Sequence, residues 1–379
     1  MGCTFDDLRL FMDKRIEQLG LTGIDCVVWR EHEEIFRHAA GFGDLEKKTK
    51  IAPGSLINIY SATKAITCVA AMQLVEKGHM LLTDPLYAYL PEYKNMLVKS
   101  GTFVITPAKS HVRVVDLFTM TAGLTYELDT AQVAKMIEET DGDFDNRTFA
   151  KALAADPLMF EPGEGWNYSF CHDVLGALIE VVSGVGLGEY FRKHIFEPLG
   201  MRDAGFELDE DKKQRLVPQY SYDPATGAVT RITDECIGRK GKRHESGGGG
   251  LIMSAEDYIL FADALACDGV GASGERIIAP ASLDLMATNH LSGRPLEDFR
   301  KMAPARGFGY GLGVGVNFDP GASFSLAPVG AFTWGGVGGV QNIFDRKNKL
   351  SYFVSQHLFA SPKHLLGPNM QNIIYSCIT

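Results

Sequence analysis

The apolar positions change period several times along the chain. From Phe5 to Leu19 they recur every three or four residues, which predicts an amphipathic helix. "IDCVVWR" (24–30) and "IFRHAAGFG" (35–43) then flank the polar "EHEE" (31–34) and read as two strands of a hairpin. A second helical pattern follows Ser61, runs to Glu76 and stops at Gly78, and in "LTDPLYAYLPEY" Asp84 and Pro85 read as a cap and first turn. "HDVLGALIEVVSG" (172–184) is helical and ends on a capping glycine, Gly184. After the glycine tract Gly247 to Gly250, Ser254-Ala255-Glu256-Asp257 has the form of a capping box opening the helix "DYILFADALA". Further on, "GFGYGLGVGV" (307–316), "QNIFD" (341–345) and "LSYFVSQ" (350–356) read as strands, and "LLGPNMQNIIYSC" (365–377) as a weak helix. Strands at both ends bracket a mostly helical middle. That predicts one sheet built from residues 1–65 and 240–379, with residues 66–239 forming a helical domain inserted between them.

Composition narrows the function. With 379 residues, 45% hydrophobic and 22% charged, the chain has ordinary globular proportions and room for two lobes. The net charge of -10 repels a phosphate backbone, and the one basic cluster, Arg239 to His244, is short and reads as a solvated loop, so no nucleic-acid partner is expected. No apolar run is long enough to cross a bilayer, and acids stand where a signal peptide needs apolar residues. The opening Met-Gly-Cys lacks the Ser or Thr of a myristoylation site, because Asp6 stands there. Seven cysteines, an odd number without a CxxC pair, read as reduced thiols. A cytoplasmic protein without a membrane partner is the expectation. His32, Glu33 and His38 do not make an HExxH site, since Phe36 occupies the second histidine position; they read as turn and strand polarity.

The chemistry concentrates in "IYSATKAITCVAAM" (59–72), where Ser61 and Lys64 stand three positions apart at the start of an apolar helix. On one helical face Lys64 reaches the Ser61 hydroxyl, and a lysine whose ammonium is destabilised by burial and by the positive end of the helix dipole is a base for a serine nucleophile. A serine opening a helix is also an ordinary N-cap, and both readings are open on this tetrad alone. No Gly-x-Ser-x-Gly elbow, P-loop or strand-borne GxGxxG competes with it. Cys68 and Cys171 read as buried structural thiols, and His172 and Asp173 as the start of a helix whose dipole the aspartate complements.

The stretch around it, residues 53–92, and four further segments in order, 111–124, 160–184, 195–206 and 246–265, carry a wider pattern, among them "FEPGEGWNYSFCHDVLGALIEVVSG" and "SGGGGLIMSAEDYILFADAL". Together they resemble the serine beta-lactamase superfamily, in its class C and family VIII esterase branch. The resemblance implies an α/β fold of the α+β type: a three-layer sandwich around an antiparallel sheet, with a helical lobe beside it and the site in the cleft between them. It implies Ser61 as nucleophile, with Lys64 and the Tyr-x-Asn tyrosine, here Tyr168, sharing proton transfers. Two positions depart from the family pattern. Phe170 replaces the asparagine that contacts a beta-lactam amide, and Trp334-Gly335-Gly336 replaces the Lys-Thr-Gly whose cation holds a carboxylate. By analogy the oxyanion hole is formed by the backbone N–H groups of Ser61 and Val337. Phe170, Trp334, Gly335 and Gly336 are then the substrate-binding set, with no metal or organic cofactor. The expected activity is a carboxylesterase on short uncharged esters. A peptidase or beta-lactamase for D-amino-acid substrates is the alternative if the Arg239 to His244 loop supplies a cation to the cleft, and a catalytically silent binding protein is the third reading.

Overall fold

The structure, a computed structural model, describes residues 2–99, 104–232, 241–302 and 306–378. Its largest element is a seven-stranded antiparallel sheet. Two strands come from the N-terminal part, β1 (Ile24–Arg30) and β2 (Glu33–Ala40). Five come from the C-terminal part, β3 (Phe308–Tyr310), β4 (Gly315–Asn317), β5 (Phe332–Thr333), β6 (Gln341–Asp345) and β7 (Leu350–Ser355). The order is β3-β4-β5-β6-β7-β1-β2, so the two ends of the chain meet where β1 pairs with β7, Val27 opposite Phe353.

Strand periodicity divides the sheet's side chains between two cores. Val27, Phe344 and Phe353 point into the larger one, under α4 (Ala255–Ala266). Cys26, Val28, Ile343, Tyr352 and Val354 point into the other, covered by α1 (Phe5–Leu19) and α5 (Gly367–Cys377). Helices on both faces make the three-layer sandwich expected from the sequence. The lobe beside it is helical around α2 (Thr63–Glu76) and α3 (Cys171–Ser183), which pack on each other. Every residue of α2 from Thr63 to Leu74 is buried, which is why its sequence is apolar on all sides and not only in a stripe.

Two local readings change. Asp84 and Pro85 open only the single 3-10 turn Leu86–Ala88, and the Asp84 carboxylate accepts from Leu81 N (2.8 Å) and the Tyr89 hydroxyl (2.6 Å). At α4 the Ser254 hydroxyl accepts from Asp257 N as a cap should. The Asp257 carboxylate does not return the bond; it accepts from the backbone of Arg202 and Asp203 (2.9 and 2.7 Å), tying α4 to the loop before it in the fold.

Candidate active site

Ser61 lies on a 3-10 turn, Tyr60–Ala62, that leads into α2. The N-cap of α2 is Ala62, with no side-chain cap, so Ser61 is not the capping serine that the tetrad alone left open. Its hydroxyl instead accepts from the Tyr168 hydroxyl at 2.6 Å and from Lys64 Nζ at 3.4 Å. Tyr60, just before it, has φ of 48°, a left-handed conformation that disfavours any side chain larger than glycine. That backbone is held by the Tyr60 hydroxyl donating to Gln219 (2.7 Å) and by its ring against Phe359 (centroids 5.0 Å). The strained turn aims Ser61 away from the helix axis toward Tyr168.

Lys64 is fully buried. Its ammonium donates to the carbonyl of Gly248 as well as to Ser61, and lies 4.7 Å from the Tyr168 ring centroid and 5.6 Å from that of Tyr126. Burial is the largest influence on the amine and opposes its charge, as the sequence led one to expect. The phenols of Tyr126 and Tyr168 and the carboxylate of Asp173 together outweigh it, and the amine is held above its ordinary range. The expectation of a lysine lowered into a neutral base is therefore corrected: Lys64 stays an ammonium. Tyr126, pulled down by that ammonium, is nonetheless pushed up to about 12 by burial, Tyr168 and Asp173.

The glycine tract that looked plain in sequence forms the floor. A Cβ on Gly247 would lie 2.5 Å from the His172 carbonyl and one on Gly248 2.3 Å from Asp173 Oδ2, so neither position admits a side chain. Asp173 is in the first turn of α3, as expected, but its carboxylate is buried within the field of Lys64. It accepts from Ser246 Oγ at 2.5 Å and faces His244 Nε2 at 3.5 Å. Burial would raise its pKa, yet His244, Ser246 and Lys64 hold it below the ordinary carboxylate value. His172 is buried with neither ring nitrogen bonded, and burial followed by the Lys64 charge pushes it down to about 3. Cys68 and Cys171 are both fully buried, with their thiols raised by burial, as structural thiols are.

Of the expected substrate-binding set, Trp334 lies at the site. Its ring stacks on Tyr168 (5.8 Å, 29°) and meets Tyr310 edge-on, and Asn342 grips its backbone on both sides, accepting from Trp334 N at 3.0 Å and donating to its carbonyl at 2.9 Å. Gly335 and Gly336 continue into a turn that lies against the backbone before Ser61, where a Cβ on Gly336 would meet the Ile59 carbonyl at 2.4 Å. Val337, half exposed, is the next residue of that turn. Phe170 is different. It is 2% exposed, stacked beneath Tyr126 (4.5 Å, 14°) and edge-on to Phe149, so it supports the wall of the cleft without facing it. Tyr126, absent from the sequence-derived set, is the aromatic actually presented there, 41% exposed on an irregular loop without a motif around it.

A serine hydroxyl bonded to both a tyrosine hydroxyl and a lysine amine, at the junction of a sheet and a helical lobe, defines a serine hydrolase. The beta-lactamase family profile matches residues 8–367, and the chain belongs to that family. It is 29% identical to esterase EstB of Burkholderia gladioli over 367 residues, covering 91% of this chain and 88% of that protein. It is 29% identical to lovastatin esterase of Penicillium rubens over 322 residues, covering 78% of this chain and 77% of that protein. Among solved structures, EstCE1, described as a hydrolase with promiscuous acyltransferase activity, superposes with a TM-score of 0.81 at 23% identity, covering 98% of both chains.

Proposed function

We propose that the protein is a carboxylesterase acting on short, uncharged esters through an acyl-enzyme on Ser61. The observation that carries this reading is the 2.6 Å contact between the Ser61 and Tyr168 oxygens, with Lys64 Nζ 3.4 Å from the same serine. Tyr168 first gives its proton to solvent, and the Lys64 ammonium holds the resulting phenolate; as Ser61 Oγ attacks the ester carbonyl, its proton passes to the Tyr168 oxygen. The oxyanion is met by the backbone N–H groups of Ser61 and Val337. The tetrahedral intermediate collapses, the proton goes to the departing alkoxide, and an alcohol leaves. Water then attacks the acyl-serine by the same route in reverse, releasing the acid and restoring the hydroxyl.

The substrate class rests on what lines the cleft. Trp334 stands where a carboxylate-binding member of the family would have a cation, and Tyr168 and Tyr126 carry the run of aromatic rings on from it. The peptidase or beta-lactamase reading needs that cation from the basic loop. Arg239 and Lys240 fall outside the described residues, while Arg243 is 59% exposed and paired with Asp143 and Asp145, and Lys242 lies 3.7 Å from Asp141, both on the outer surface. Losing a charge-assisted contact costs about 1.5 to 3 kcal/mol, roughly ten- to a hundredfold in recognition of a carboxylate. The silent-protein reading has no use for a serine, lysine and tyrosine brought within bonding distance. The test compares the protein with Ser61→Ala on p-nitrophenyl acetate, p-nitrophenyl butyrate and nitrocefin. Ester turnover abolished by the substitution, with nitrocefin nearly untouched, is expected; efficient nitrocefin cleavage refutes the substrate assignment, and ester turnover surviving in the variant refutes the nucleophile.

A further inference from the structure

We propose a divalent-metal site of zinc type, formed by His32, Asp263 and Cys267 and separate from the catalytic centre. The three come from two elements. His32 is in the turn between β1 and β2, while Asp263 and Cys267 are four residues apart at the C-terminal end of α4 and so share one face of it. His32 Nδ1 is 2.7 Å from Asp263 Oδ2, Cys267 Sγ is 3.7 Å from Asp263 Oδ1, and the three ligand atoms all lie within 4.8 Å of one another. A tetrahedral zinc with bonds of about 2.0 to 2.3 Å sets its ligands roughly 3.3 to 3.8 Å apart. The cluster brackets that spacing: the His32–Asp263 pair at 2.7 Å must open by about half an ångström, and any separation near the 4.8 Å limit must close by about an ångström, for an ion to seat.

The surroundings favour a cation. The Asp263 side chain has no solvent exposure, and its bonded partners of opposite or donor character are His32, through ring and backbone, and the Cys267 thiol. The cluster sits at the negative end of the α4 dipole. A mixed nitrogen, oxygen and sulfur donor set suits zinc better than magnesium or calcium, which take oxygen. The His32 side chain is 37% exposed, which gives the ion an entry path and a fourth position for water.

Binding is balanced at each ligand. The metal takes the thiolate of Cys267 as its thiol proton leaves to solvent, and the His32 ring coordinates through Nδ1 in the tautomer that carries its proton on Nε2. Because the thiol must give up its proton to bind, affinity rises with pH. Bound metal would fasten the β1–β2 turn to α4. At its other end α4 carries Tyr258, whose hydroxyl donates to the Ala62 carbonyl beside the nucleophile (3.4 Å), so the ion would stiffen the support of the site without touching substrate.

The experiment titrates zinc, against a chromophoric chelator, into chelator-treated full-length protein and into Cys267→Ser and His32→Asn; asparagine tolerates the left-handed backbone of His32 (φ 70°). One equivalent is expected in the parent at micromolar zinc, weakened at least tenfold in both variants. Metal-free ester turnover should be unchanged in both variants. Cobalt should give a sulfur charge-transfer band in the parent that Cys267→Ser lacks. Uptake as tight in both variants as in the parent, or no uptake by the parent at micromolar zinc, overturns the proposal.

Discussion

Tyr168→Phe removes one oxygen and leaves the rest of the residue in place. The ring keeps its stacking on Trp334 (5.8 Å) and its contacts with Tyr126 (5.2 Å) and Trp166 (6.3 Å), so the cleft wall is preserved. What disappears is the 2.6 Å bond to Ser61. If that bond only orders the serine, its loss is worth about 0.5 to 1.5 kcal/mol, roughly a two- to twelvefold fall in turnover. If the oxygen carries the proton in the transition state, the loss is about 100- to 10,000-fold, or roughly 2.7 to 5.4 kcal/mol. The two ranges do not overlap. Steady-state kinetics on p-nitrophenyl butyrate should show kcat falling at least a hundredfold, with KM within about threefold because the phenol meets a proton and not the substrate's binding groups. Thermal unfolding should move little, which separates chemistry from misfolding. A fall in kcat below about tenfold in a variant that folds normally refutes a proton-transfer role for Tyr168.

Trp334→Ala opens the wall beside Tyr168 and should raise kcat/KM for p-nitrophenyl octanoate relative to the butyrate ester, an unchanged chain-length preference counting against the pocket assignment. Two buried histidines give the acid stability a definite sign. Burial pushes His357 down to about 4 and His172 to about 3, so the unfolded chain takes up these protons first and the fold loses stability as pH drops below the ordinary histidine value. Between about pH 6.5 and 5 each histidine should cost up to about 2 kcal/mol in urea unfolding, and a flat profile there would contradict their burial. Glu180 runs the opposite way. Burial and then Glu245 raise it to about 7 against the pull of its bonds from Leu187 and Asn146, so the stability tied to its neutral form is present in acid and lost as pH rises through that value. Glu180→Gln, whose amide oxygen can accept the same two bonds, should stabilise the protein above neutral pH and not near about pH 4, as denaturant midpoints at the two pH values will show.

Most elements were legible because their signals are local. The helix at Phe5–Leu19, the hairpin after it, and the run from Thr63 to Glu76 follow from apolar period and a stopping glycine, none of which requires knowledge of the rest of the chain. Ser61, Lys64 and Tyr168 were reachable from spacing and resemblance, and the structure brings them together. What the sequence hid was depth. Asp173 stands at a dipole-complementing position on α3, and only the approach of Ser246, His244 and Gly248 in space shows that its carboxylate faces inward. Tyr126 takes the place expected of Phe170 for the same reason: one ring stacks over the other, and spacing along the chain does not say which is on top. The direction of the Lys64 shift was misjudged because burial, the part visible in an apolar helix, is outweighed by two tyrosines and an aspartate that arrive from 60 to 110 residues away.

That charge arrangement bears on specificity. Among the described residues the positive charge at the site is on Lys64, and it is already committed: the ammonium donates to the Gly248 carbonyl and is favoured by the field of Asp173, itself held by Ser246 and faced by His244. A substrate carboxylate entering the cleft would find this pair close to neutral overall, and aromatic faces around it. It would give up its hydration without gaining a partner, the costly case for any charge moved out of water. A neutral ester gives up far less and offers the aromatic walls an apolar surface to cover. A buried ammonium thus serves proton transfer at Ser61 without attracting anions, because the field of Asp173 already acts on it. On the proposed reading, a preference for uncharged substrates would follow as much from that hidden aspartate as from the tryptophan that stands in place of a lysine.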